Sequence, residues 1–126
     1  MLAKSQILLL ELTAATTVQT GAAKTVRDAQ YDGVNAHEQT FLGVFELTAT
    51  GGTSPTVDAT LQTSFDGTTW HTVASMTQLS GAGTQTEIKP ISYLGPYNRA
   101  VVTPGGTAAP SVSGAVRLAS SGTLTS

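Results

Sequence analysis

The sequence predicts an all-β chain: a single-domain antiparallel β-sandwich or jelly roll of about eight strands. Three observations carry that prediction. The first is composition: 22 threonines, 11 serines and 13 glycines. Threonine is β-branched, loses side-chain freedom in a helix and fits a pleated strand. The second is pattern. Apolar residues fall in short runs of period two, separated by turn residues at intervals of about 8–12 residues. The third is size. With 126 residues, 40% of them hydrophobic, the chain has the length of one domain and buries roughly two-thirds of its unfolded surface. It contains no cysteine, so no disulfide framework is available. No repeat of fixed period points to a propeller or solenoid.

Lys4–Leu12 reads as the first strand, with Leu8, Leu10 and Leu12 on one face and Ile7 and Leu9 on the other. Both faces are apolar, which implies burial on both sides. The run is broken by Glu11 and is too short for a membrane span or a secretory leader. Residues 1–12 therefore form either an N-terminal strand or a docking arm, residues 13–119 the sandwich, and residues 120–126 a flexible tail. Short strands are expected at Thr16–Gln19 and Lys24–Arg27, followed by a loop over Asp28–His37. Gln39–Thr50 is a strong strand with Phe41, Phe45, Leu47 and Ala49 inward and Leu42 and Val44 outward. Thr56–Phe65 alternates, with Val57, Ala59, Leu61 and Phe65 inward. Asp66-Gly67 turns the chain into Thr68–Met76 as a hairpin, with Trp70 expected to cap the core. Gln78–Gly83 reads as loop. Thr84–Ile91 is a strand whose Pro90 marks an end or an edge. Tyr93–Thr103 and Ser111–Leu118 complete the set, joined by a turn at Pro104–Thr107.

Only 11% of residues are charged, six basic against eight acidic, where an average domain has about 25%. No basic excess exists to neutralise a phosphate backbone, so nucleic acid is not an expected partner. No membrane partner is expected either. Two histidines, His37 and His71, are too few for an all-histidine metal site. Asp28, Asp32 and Glu38 near Asn35 offer oxygens of the kind calcium takes, but their order does not match an EF-hand loop; solvated turn acids are the ordinary reading. Catalysis needs a nucleophile with a base or a pair of tuned acids. Few acids lie within or beside strands, among them Glu38, Glu46, Asp58 and Glu87, so no enzyme, cofactor or metal is expected. Ser64-Phe65-Asp66-Gly67-Thr68-Thr69-Trp70 resembles the Asp-box turn of sialidase-type propellers, one residue short. Its physical content is structural: Asp66 bonds nearby amides and Gly67 takes positive φ.

The hairpin Leu61-Gln62-Thr63-Ser64-Phe65-Asp66-Gly67-Thr68-Thr69-Trp70 and the stretch Tyr97-Asn98-Arg99-Ala100-Val101-Val102-Thr103 carry a family resemblance. With the Gly105-Gly106-Thr107 turn and Ser111–Leu118, they cover about half of the chain. This part resembles the head decoration, or cement, proteins of tailed bacteriophages. The resemblance implies a β-sandwich or jelly-roll module, frequently a homotrimer, on the outer capsid surface of a virion assembled in the host cytoplasm. The implied partner is the major capsid protein. Its candidate interface residues are Ile7, Leu8, Leu9, Leu10, Leu42 and Val44. Tail and fibre proteins use similar hairpins, and the alternative is such a module binding host glycans through Trp70, Tyr93 or Tyr97.

Overall fold

The structure, a computed structural model, describes residues 6–25, 40–108 and 110–121. Ten strand segments follow in chain order: β1 (Gln6–Ala15), β2 (Gln19–Thr20), β3 (Lys24–Thr25), β4 (Thr40–Thr50), β5 (Thr56–Ser64), β6 (His71–Ser75), β7 (Leu79–Ser80), β8 (Gly83–Ile91), β9 (Tyr97–Gly105) and β10 (Ser111–Ser121). The expected loop at Asp28–His37, with its candidate acids and His37, lies outside the described residues. So do Arg27 and residues 122–126 of the expected tail.

The strands form two antiparallel sheets, β1-β10-β4-β8 and β2-β9-β5-β6, with β3 also on β9 and β7 also on β5. Since β2 and β3 share one neighbour and β6 and β7 another, the ten segments occupy eight strand positions. The first position pairs with the eighth, the second with the seventh, the third with the sixth, and the fourth with the fifth. This is one long hairpin rolled up, and β10·β4 and β9·β5 pairing closes the roll. That order decides between the two expected architectures: the chain is a jelly roll.

Its core lies between the sheets, where period-two alternation places one face of each long strand. Phe45, Leu47, Leu118, Val112 and Val116 from one sheet meet Leu61, Val57 and Val102 from the other, all with no exposure. Each such side chain contributes roughly 1.5–3 kcal/mol by leaving water.

Four local expectations are corrected. The faces of β1 are not those of a regular strand. Ile7 pairs Leu118 and Leu8 pairs Arg117, but Leu10 already pairs Val116, so Leu9 is the extra residue of a β-bulge. The bulge shifts the alternation by one. Ile7, Leu9 and Leu12 are buried, Leu10 packs against the core, and Leu8 alone of the apolar run faces outward, 41% exposed. Phe65, expected inward, is 59% exposed, because β5 ends at Ser64, whose hydroxyl accepts the amides of Asp66 and Gly67 at 3.3 and 2.8 Å. The Gln78–Gly83 stretch contains a strand, β7, whose buried Leu79 pairs with Val57. Finally, β10 runs on through Ser121, pairing Ser120 and Ser121 with Phe41 and Thr40, so these two residues, expected in the tail, belong to the strand.

One glycine permits the close approach of β10 to β4. Gly114 sits at φ +130°, and a Cβ there would strike the Glu46 carbonyl oxygen. It lies in the second irregularity of the β1·β10 pairing, between Leu12 and Ala15.

Candidate functional site

The outer face of sheet β1-β10-β4-β8 divides along its strands into a polar half and an apolar half. Register places Leu8, Arg117, Val44 and Ile88 in one row across all four strands. The neighbouring row holds Ala119, Leu42 and Pro90. Ile88 is 60% exposed, Pro90 is exposed, and Leu42, Val44 and Ala119 are half-buried by their neighbours. Arg117 crosses this patch without charging it. Its Nη1 donates to Glu46 Oε1 at 2.9 Å in the polar half, which leaves its aliphatic stem among the apolar side chains.

The polar half is an open trough of about 580 Å³ lined by Glu11, Thr13, Glu46, Thr48, Thr84 and Thr86 among others. The Thr48 and Thr84 hydroxyls bond across strands at 2.9 Å. Among the described residues no three His, Asp or Glu side chains converge as metal ligands. Among the same residues no helix is long and apolar enough to cross a membrane.

Of the six interface residues predicted from sequence, the structure brings Leu8, Leu42 and Val44 together in this patch. Ile7 and Leu9 are corrected: both are buried in the chain's own core and are unavailable to a partner. Leu10 packs partly buried against the same core. Ile88 and Pro90, not among those six, lie in the same patch. The signal was present in the alternation of Thr84–Ile91, where Ile88 shares its face with Thr84 and Thr86. No family model matches the chain, and no curated protein matches its sequence.

The strand edges beside this face are closed to strand addition in familiar ways. The outer strand β1 carries its bulge. On β8 the edge ends in Pro90, and the inner side carries the Glu87–Lys89 ion pair at 3.1 Å. Bulges, edge prolines and inward charges all discourage pairing with another chain. Glu87 is held below the usual carboxylate range by the Thr77 amide, with Lys89 adding to the effect.

A second group of exposed side chains surrounds the β5–β6 turn. Asp66 Oδ1 accepts the amides of Thr68 and Thr69, both at 2.8 Å, and the Ser64 hydroxyl at 3.0 Å. These bonds, Thr69 first and then Thr68 and Ser64, hold the Asp66 carboxyl far below its ordinary range. Gly67 takes φ +84° as expected. Trp70, expected to cap the core, instead lies on the outer face of the second sheet, with the Arg99 guanidinium 4.1 Å from its ring centre. Arg99 is fixed there by Gln62, Nε to Oε1 at 2.8 Å.

Proposed function

We propose that the chain is a structural virion protein that decorates the outer capsid shell of a tailed bacteriophage and stabilises it. The apolar half of the outer β1-β10-β4-β8 face carries this reading, with Leu8, Leu42, Val44 and Ile88 as contacts to the major capsid protein. A sheet face with closed edges suits docking by side-chain packing, without strand exchange. The resemblance of Thr56–Leu118 to decoration proteins and the low charge of the surface support the same reading. The jelly-roll fold itself hosts many functions and adds no weight.

The patch holds about six side chains, against roughly 20–30 residues a side in a standard stable interface. One copy therefore binds weakly. A homotrimer engaging three shell sites at once raises the effective affinity by mass action within the assembly. Fractionation of the virions that carry this chain tests the role: it is expected on purified heads, and recovery on tails alone overturns the proposal.

A further inference from the structure

At the β5–β6 turn the sandwich displays aromatic rings that its core does not use. Phe65 is 59% exposed and Tyr93 51%. Their planes are within 9° of parallel and their centroids are 6.3 Å apart. Two exposed, near-parallel rings at this spacing offer more aromatic surface than one ring does. His71 stands beside Phe65 at 6.4 Å, tilted by 55°, and the Tyr97 ring flanks Gly67.

The platform is held rigidly from below. Ser64 and Asp66 clamp the turn, as described above. Beneath it, Thr63 Oγ1 accepts the Gly95 amide at 2.7 Å and donates to the Tyr97 carbonyl at 3.2 Å. Gly95 fits against Ser64 only because it lacks a side chain, since a Cβ would lie 2.5 Å from the Ser64 carbonyl oxygen. Asn98, fully buried, donates to the Gly95 carbonyl at 3.3 Å. These bonds fix the backbone that carries Phe65 and adjoins Tyr93. Clamping removes the ordering cost that a ligand would otherwise meet.

We infer that Phe65 and Tyr93 form a carbohydrate-binding platform, independent of the shell-docking face. The π-face of an aromatic ring is negative, and it attracts the polarised C–H groups on the apolar side of a sugar ring. Rings of this kind give a large, rigid, amphipathic contact area at low entropy cost. The Tyr93 hydroxyl and the His71 ring nitrogens are of the kind that exchange hydrogen bonds with sugar hydroxyls. The patch is far smaller than a standard protein interface. Asp66, next to Phe65 in the turn, carries a negative charge that disfavours an anionic sugar, so a sugar carrying no charge fits. Trp70 takes no part, because Arg99 covers its ring.

Saturation-transfer NMR of the full chain, against free di- and trisaccharides of glucose, galactose, mannose, rhamnose and N-acetylglucosamine, tests the inference. At least one saccharide is expected to receive saturation on its ring C–H protons. The F65A/Y93A double variant should weaken that binding at least tenfold, F65Y should retain it, and W70F should leave it unchanged. No response from any saccharide overturns the proposal, as does undiminished binding by F65A/Y93A. If that variant instead loses self-association or shell binding while no saccharide responds, the patch is a protein contact and the carbohydrate reading falls. Shell docking through Val44 and Ile88 stands or falls separately.

Discussion

Two residues show how local chemistry shapes this surface. Gly114 lies at φ +130° with its α-carbon against the Glu46 carbonyl. G114A is expected to cost at least about 2 kcal/mol in denaturant unfolding, through both the dihedral and the collision. Asp66 is the other. Its carboxyl is held low by the Thr69 and Thr68 amides, so the folded state favours the ionised form. A lowered folded pKa contributes stability that is present above the unfolded value, about 3.9. That stability is lost as pH falls through the folded value. An NMR acid titration should find the Thr68 and Thr69 amide shifts unchanged down to pH values where ordinary carboxylates are already protonated. In D66N that acid dependence should disappear. The amide bonds of Asp66 and the positive φ of Gly67 were legible in the sequence, because Asp-Gly is a turn signal with a known hydrogen-bonding habit; the lowered carboxyl was not read from it. Phe65 was misplaced for the same reason turned round: Ser64 ends the strand with its own side chain, and alternation stops one residue before Phe65.

Among the elements, β1 separates what alternation can and cannot reveal. The run Ile7-Leu8-Leu9-Leu10 looks apolar on both faces, and sequence alone cannot locate a bulge. The bulge at Leu9 turns three of these four toward the core. L9A should therefore cost about 2–4 kcal/mol, in line with core leucines, while L8A should change stability by no more than about 0.5 kcal/mol, as exposed positions do. Thermal or urea melts of the two variants check this directly. By the same logic, removal of residues 1–15 should abolish the folded state, since it takes away an edge strand that supplies part of the core. The long strands β4, β5, β9 and β10 were legible because each has one buried face, and β8 because exposed and half-buried positions alternate along it up to the buried Ile91. The two-residue segments β2, β3 and β7 are too short for a period to show.

For the whole molecule, the strand order is the least legible feature and the most ordered one. Pairing of the first position with the eighth joins Gln6–Ala15 to Ser111–Ser121, and no local pattern announces so distant a partner. The outer-face patch inherits this property. Leu8, Leu42, Val44 and Ile88 come from three distant parts of the chain and become neighbours only through register. Leu42 and Val44 were visible as apolar residues on an outward face, while Ile88 looked like one more residue of a threonine-rich edge strand. The scarcity of charge, 11% of residues, takes on a place in this picture. Threonines fill the polar half of the face, and the single Arg117–Glu46 pair marks its boundary with the apolar half.

Cosedimentation with capsid shells stripped of their decoration tests whether the apolar face docks on the shell. Wild-type chain should pellet with the shells. I88E, which places a charge in the apolar patch at a position 60% exposed and leaves the core untouched, should remain in the supernatant with its thermal midpoint little changed. Equal pelleting of the variant, or failure of the wild-type chain to pellet, would contradict the claim.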